Sequence, residues 1–364
     1  MFDLLSACIR FDASREGANQ LAARISEVGW EELLQYAGTL RLDAVLVRAI
    51  ARLDLAPPIP AITLPDGRVT ITRALALHRA SHTERRRVLL ERLTEIAAAL
   101  NGEGIVPLVL KGGRSLLVGQ PEWRQLRDID LLVEPRRAGR AQDLVRALGY
   151  RGAEAPPSRL VHHHLEELYR DDLPGWIEIH RRGGLSRVEH FLPTRELLGA
   201  AKTVTLEPDV RLAILPPHLD LLYGVIHYHI GHRGMNRAEI EPKGLYEFGA
   251  AVLALSEAER RALLDRAALN PRLLAILEFW IVAAAEQFGM PVPAELTPAP
   301  DIVGWWNELA NADQTRPTGI GRELRAALDQ ARMRRASGGH NPLRRALWRI
   351  SIPLSFLKRP VLFS

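Results

Sequence analysis

With one cysteine in 364 residues, Cys8, the chain has no internal disulfide and no cysteine-rich zinc site, which fits a reducing compartment. Set among apolar residues, that thiol reads as a small core residue rather than a nucleophile. Long apolar runs are missing too: nowhere do about 18 uncharged apolar residues follow one another, so no membrane-spanning segment is expected. The opening stretch MFDLLSACIRFDASREG carries acids and lacks the apolar core of a secretory signal, so the expected location is the cytoplasm. Lysine is scarce, with only Lys111, Lys202, Lys243 and Lys358 among 48 basic residues. Since lysine is a compact charge and arginine a planar fork, a lysine in such a chain marks a place where a point charge is wanted. Acids are absent after Asp329, whereas Arg332, Arg334, Arg335, Arg344, Arg345, Arg349, Lys358 and Arg359 all follow it. Without those eight, 40 basic residues face 43 acidic ones, so the net charge of +5 belongs to the tail and the body is mildly acidic. Bulk charge therefore gives no sign of a nucleic-acid surface.

What is present centres on Ile105 to Val133, IVPLVLKGGRSLLVGQPEWRQLRDIDLLV. An apolar run ends in a lysine and two glycines; a short helical piece and a Pro-containing loop follow; a second apolar run carries two aspartates one residue apart. That layout reads as strand, Gly-rich turn, short helix over Arg114 to Val118, loop and strand. Side chains alternate along a strand, so Asp128 and Asp130 share one face while Ile129, Leu131 and Val133 point to a core on the other. Two carboxylates that close repel each other unless a cation lies between them, and magnesium is usually held by one or two carboxylates together with substrate phosphates. Gly112 and Gly113 would let bare N–H groups approach a phosphate, with Lys111 or Arg114 neutralising charge. Further on, Trp176-Ile177-Glu178-Ile179-His180 also alternates, which puts Trp176, Glu178 and His180 on one face.

The sequences LKGGRS, RDIDLLV and WIEIH together resemble the nucleotidyltransferase superfamily, and most closely the bacterial group of uncharacterised nucleotidyltransferases. The resemblance spans roughly Leu110 to His180. It implies an α+β fold in which a small mixed β-sheet nucleotidyltransferase core is flanked by N- and C-terminal helical regions. It also implies a glycine turn at the phosphates, here Gly112 and Gly113, a DxD pair, here Asp128 and Asp130, and a third carboxylate on a later strand, here Glu178. Gly113 stands where many members have serine, with Ser115 two residues later, and the third acid is glutamate rather than aspartate. Asp128, Asp130 and Glu178 are thus the expected catalytic and metal-binding residues. Lys111, Gly112, Gly113, Arg114, Ser115, Arg127 and His180 are the expected contacts to the nucleotide.

The flanks read as helical. Apolar spacing suggests helices from about 15 to 53, stopped by Pro57-Pro58-Ile59-Pro60, and a long one from about 69 to 100 with an exposed section at Glu84-Arg85-Arg86-Arg87. His78 and His82 on it read as a polar flank, since no third metal ligand is near in sequence. A helix is expected from Arg136 to Leu148 and others from 216 to 288. His162-His163-His164 read as a solvated face with at most one ring entering the cleft. His227, His229 and His232 suggest a phosphohydrolase metal centre, but on a helix His227 and His229 lie about 200° apart. Trp305-Trp306 reads as an anchor, and the basic, partly apolar tail as a segment that docks on the body, a partner or an anionic membrane surface. The expected division is a helical region over 1–100, the transferase core over 101–200, a second helical region over 201–330 and the tail over 331–364.

These observations favour a metal-dependent nucleotidyltransferase using magnesium, or manganese in its place. It would move a nucleoside monophosphate from a nucleoside triphosphate to a hydroxyl or phosphate of a small molecule or peptide. The alternative is a catalytically silent nucleotide-binding or partner-regulating protein of the same fold.

Overall fold

The computed structural model describes residues 1–55, 61–64, 67–119, 121–152, 163–231 and 241–304. The proline run at 57–60, His162, His232, Trp305-Trp306 and the basic tail lie outside the described residues.

Four helices come first, α1 (Phe2–Ile9), α2 (Ala18–Val28), α3 (Trp30–Thr39) and α4 (Asp43–Leu53), then an antiparallel pair β1 (Ala61–Leu64) and β2 (Gly67–Thr70). The long helix is α5 (Ile71–Gly102), close to the span its periodicity predicts; the Thr70 side chain caps it by accepting from the Arg73 N–H. The core unit follows: β3 (Leu108–Val109), a tight turn Lys111–Gly113, α6 (Arg114–Val118), β4 (Asp128–Leu132), α7 (Ala138–Ala147), β5 (Arg151–Gly152), β6 (Leu168–Tyr169) and β7 (Trp176–His180). Strand β3 is shorter than its apolar run because Pro107 has no N–H to give the ladder; its carbonyl accepts from Ala213 instead. Two short helices, α8 (Ser186–Glu189) and α9 (Thr194–Ala200), lead to a hairpin of β8 (Lys202–Glu207) and β9 (Val210–Ile214). The chain ends its described part in α10 (Pro217–Ile226) with a π-helical turn His227–Gly231, then α11 (Pro242–Ala254), α12 (Glu257–Ala268) and α13 (Pro271–Phe288). A reciprocal capping box, Ser256 with Glu259, starts α12, and the Asn270 side chain starts α13.

Seven strands form one mixed sheet in the order β5-β6-β7-β4-β3-β9-β8. Strands β4 and β7 run parallel with Asp130 opposite Glu178, and β3 lies antiparallel to β4 and parallel to β9. The fold is therefore α+β with a mixed sheet, as the sequence implies. Ile129, Leu131, Ile177 and Ile179 point to one face, where they pack against Leu89, Leu93, Ile96 and Leu100 of α5 and against α7. Each such fully buried aliphatic side chain contributes roughly 1.5 to 3 kcal/mol.

The carboxylate face is not the open side that simple alternation suggests. Leu108, Leu110 and Leu132 of that face join a second core with α1 to α4 and α10 to α13. A central strand in a partly parallel sheet is covered on both faces, so its carboxylates lie between two layers. N- and C-terminal helices share this layer: Phe11 stacks on Tyr246 of α11 with centroids 4.7 Å apart, and Tyr246 meets Phe288 of α13 edge-on. Cys8 is fully buried there, which pushes its thiol up to about 11 and makes it inert.

The charged section on α5 is likewise not a solvated face throughout. Arg87 is exposed between Glu84 and Glu91, but Arg85 donates to the Leu126 carbonyl (3.0 Å) and Arg86 to the Arg124 and Ser115 carbonyls (3.2 and 2.8 Å). Helical spacing sends Arg87 one way and its neighbours onto the 121–127 loop, which they hold against the sheet. His78 pairs with Asp43, which also accepts from the Gln125 side chain (2.7 Å), and His82 donates to the Glu122 carbonyl (2.7 Å), so both serve packing of the same loop.

Gly175, just before β7, has φ +86°, and a Cβ there would lie 2.3 Å from the Arg127 carbonyl oxygen. Gly119 has φ +70° with nothing within 4 Å of its Cβ position. Both would strain an L-residue by roughly 1 to 2 kcal/mol, but only Gly175 adds a backbone clash. Gly175→Ala is expected to lower the urea unfolding midpoint clearly more than Gly119→Ala; equal losses would show that the Arg127 contact is unimportant.

Candidate active site

The site begins with backbone geometry at the end of β3. Lys111, not a glycine, takes the left-handed conformation, φ +51°. Gly112 and Gly113 lie close against neighbouring side chains: a Cβ on Gly112 would meet Leu126 Cδ2 at 2.1 Å, and one on Gly113 would meet Val109 Cγ1 at 2.4 Å. The turn is therefore packed tightly onto the sheet, and this sets the direction of the Lys111 side chain. Its ammonium lies 2.6 Å from Asp130 Oδ1.

Asp130 is 2 % exposed and accepts a second bond to the same oxygen, 2.7 Å from His180 Nε2. That imidazole nitrogen is also 3.1 Å from Glu178 Oε2. The parallel pairing of β4 and β7 builds this cluster, since it sets Asp130 beside Glu178 with His180 two residues on. Burial alone would neutralise these groups, but the Lys111 ammonium and the His180 ring outweigh it and hold Asp130 well below the usual carboxylate range. Conversely, burial opposes charge on His180 and Lys111, and the surrounding carboxylates keep both above their ordinary values.

Asp128 is placed differently. It faces the cleft one turn of the pleat away, and burial, with Asp130 next, pushes it up to about 6. A carboxylate so poorly compensated is a position where a cation would be welcome.

Above these residues opens a cleft of about 980 Å³ between the sheet and the helical layer. Lys111, Gly112, Arg114, Ser115, Arg127, Asp128 and Glu178 line it, so the structure gathers most of the expected contacts on one cavity. Asp130, His180 and Gly113 are buried. The Ser115 hydroxyl is taken up by the turn, donating to the Gly112 carbonyl (2.8 Å) and accepting from Arg86.

Several wall residues carry only a weak signal in the sequence. His163 and His164 both line the cleft and pack on His180, with centroids 5.1 and 5.5 Å away, so two of the three adjacent histidines turn inward rather than forming a solvated face. They do so because this segment pairs with β7 only through a single bridge, His164 opposite His180, and neither helix nor strand geometry governs it. Burial pulls His163 down to about 3, which leaves it neutral. On the opposite wall Arg124 pairs with Glu247 (3.1 Å). Lys243, from α11, also reaches the cleft and donates to the Gln125 carbonyl (3.1 Å). His229 instead points into the core, where its Nδ1 accepts from the Trp280 indole N–H (3.1 Å) and burial lowers it to about 3. The phosphohydrolase centre thus has no support from His229.

Asp130, Glu178 and His180 offer ligand atoms within 4.8 Å of one another, the one such group among the described residues. With the His180 proton held between two carboxylates, the donors left for a cation are oxygens of Glu178, the Asp130 Oδ2 that neither Lys111 nor His180 uses and, at the cleft surface, Asp128. An oxygen-rich, partly open donor set suits magnesium or manganese. The residues therefore fit a divalent ion.

Asp220 of α10 enters the cleft wall with one buried carboxylate oxygen that has no hydrogen bond, and burial raises it to about 6. A carboxyl raised in the folded state favours folding while protonated, so it costs stability as pH climbs from its unfolded value of 3.8 through about 6. Asp220→Asn is expected to raise the unfolding midpoint over wild type at pH 8 and to converge with it at pH 4. A constant difference at both would mean that the carboxylate is compensated.

No helix among the described residues is long and apolar enough to cross a membrane. No curated protein matches the sequence. Residues 26–289, which take in the sheet, the cleft and most of both helical flanks, match the family described as uncharacterised nucleotidyltransferase, and the chain belongs to that family.

Proposed function

We propose that this protein transfers a nucleoside monophosphate from a nucleoside triphosphate to an acceptor oxygen on a small molecule or peptide, with a divalent cation, and releases pyrophosphate. The observation that carries the reading is the meeting of Asp128, Glu178 and the turn residues Lys111 and Gly112 on one large cleft in a chain of this family. Catalytic and metal-binding roles fall to Asp128, Asp130 and Glu178.

Each role follows from position. Lys111, Arg114 and Arg127 neutralise the phosphate oxygens, and the Gly112 backbone orients them, with Gly113, whose N–H donates to the Leu110 carbonyl, and Ser115 bracing the turn. When bound, a pair of magnesium or manganese ions would supply Lewis-acid stabilisation to the attacking and leaving oxygens. Asp128 and Glu178 would hold that charge from the cleft floor and Asp130 from beneath. The acceptor oxygen attacks the α-phosphorus, the bond to pyrophosphate breaks, and the acceptor proton passes to a carboxylate. Glu178 is best placed to take it, because it lines the cleft while His180 is committed to Asp130. His180 is a positioning residue: its Nε2 fixes the Asp130 and Glu178 carboxylates relative to each other. No nucleic-acid acceptor is proposed, in keeping with the mildly acidic body.

A second reading rests on Lys111. Its ammonium sits on Asp130 where a cation would, and a protein that keeps this arrangement with nucleotide bound would be a silent nucleotide-binding or partner-regulating module.

Two measurements decide. Calorimetry across the four common triphosphates, with magnesium, is expected to show binding by wild type that Asp128→Asn/Asp130→Asn weakens by about a hundredfold, the loss of charged contacts worth roughly 1.5 to 3 kcal/mol each. Nucleotide binding that survives in the double variant would overturn the metal assignment, and binding without pyrophosphate release under any acceptor mixture would favour the silent module. Lys111→Met separates the readings further: it lowers triphosphate affinity if Lys111 moves to the phosphates, and leaves it unchanged if the lysine only neutralises Asp130.

A further inference from the structure

Beside the main cleft lies a second pocket of about 320 Å³, lined on one side by α5 and on the other by the loop that leads into β4. Its charged side chains are Arg41, Arg85, Arg127 and Lys243, with no carboxylate among its lining residues. His78 and His82 also face it, but His78 is paired with Asp43 and His82 gives its proton to the Glu122 carbonyl. Four fixed positive charges therefore share one small cavity.

Their bonding leaves much of that charge unspent. Arg41 and Arg127 make no side-chain hydrogen bond or ion pair among the described residues, and Arg85 uses only Nε, on the Leu126 carbonyl. Lys243 holds the Gln125 carbonyl at 3.1 Å, with Glu247 at 3.5 Å. Gathering like charges costs free energy that an anion would recover. The shift of Arg85 agrees: burial lowers it, and the Arg127 and Arg92 charges lower it further.

Position tells which anion. Arg41, Arg127 and Lys243 line both cavities, so the pocket opens into the main cleft, and Arg127 directly precedes Asp128. Of the residues assigned above to the triphosphate, Lys111, Gly112 and Arg114 line only the main cleft, whereas Arg127 stands where the two cavities meet. We infer that this pocket binds a phosphate group of the acceptor, so that the molecule modified is itself a phosphorylated one. This rests on the transferase reading. Guanidinium groups suit such an oxyanion by forked hydrogen bonding, and Lys243 adds a point charge. Docked there, the acceptor would present its nucleophilic oxygen across Arg127 to Asp128 and Glu178.

The test uses the full chain and inorganic phosphate as probe, titrated by calorimetry without magnesium or nucleotide. Arg41 sits at φ +57°, so Arg41→Gly removes a charge at a position whose backbone suits glycine and keeps the fold. Wild type is expected to bind phosphate, Arg41→Gly to bind it about tenfold more weakly, and Arg41→Gly/Arg85→Gln more weakly again. Arg85→Lys, which keeps the charge, should stay within about threefold of wild type. Affinity for magnesium triphosphate should change less than about twofold in Arg41→Gly. Equal loss of phosphate and triphosphate would show that the pocket belongs to the triphosphate site. Phosphate binding that is absent in wild type, or indifferent to Arg41→Gly, would overturn the inference. If wild type binds phosphate in an Arg41-dependent way but no triphosphate at all, the anion pocket holds and the transferase reading fails.

Discussion

The bond on which the site depends is between Lys111 and the buried carboxylate of Asp130. A carboxylate at 2 % exposure is costly unless it is paired and hydrogen-bonded, and here one oxygen receives both the lysine ammonium and the His180 proton. Those three residues come from the end of β3, the middle of β4 and the end of β7. The left-handed Lys111 backbone, the glycines pressed onto Val109 and Leu126, and the parallel register of β4 with β7 are all needed for the three charges to meet. Removing Asp130 would strip both Lys111 and His180 of the oxygen they share, so the cluster locks the centre of the sheet as it builds the site.

The same arrangement divides labour among the carboxylates. Asp130 is satisfied by the protein itself and stays ionised; Asp128 has no comparable partner and is pushed up to about 6. Two carboxyls one residue apart on a strand thus differ in what they lack. One is a structural anchor that also shapes the field, and the other lies at the cleft surface awaiting positive charge. That asymmetry follows from which of the two the Lys111 turn can reach.

Much of this was legible from local pattern. Period-two alternation placed Asp128 and Asp130 on one face and Glu178 with His180 on another strand, and the five-residue span Trp176–His180 is the strand observed. Helical periodicity gave α5, α6 and α7. What local pattern does not carry is contact between distant elements. The covering of the carboxylate face joins residues such as Phe11 and Tyr246, far apart in the chain, and no spacing rule announces it. Arg85 and Arg86 read as surface because their partners are main-chain carbonyls, which every sequence has. The β8–β9 hairpin does carry local signals: Lys202–Glu207 alternates, and the two-residue turn holds Asp209 at φ +75°, a residue type that tolerates that conformation. His163 and His164 turn inward in a segment of irregular backbone, where periodicity has nothing to say.

Charge distribution makes the last connection. The body of the chain is close to balanced. Among the described residues Arg41 and Arg127 have no hydrogen-bonded acid or carbonyl on the side chain, and both face the junction of the two cavities beside Asp128. Positive charge is thus unbalanced around the negative floor of the cleft, with Lys111 and Arg114 on one side and Arg41, Arg85 and Lys243 on the other. A reaction that brings two anionic molecules together must overcome their mutual repulsion before any bond forms. A site with separate cationic holds on either side of a carboxylate floor is built to do that, and one serving a single anion would have no use for the second.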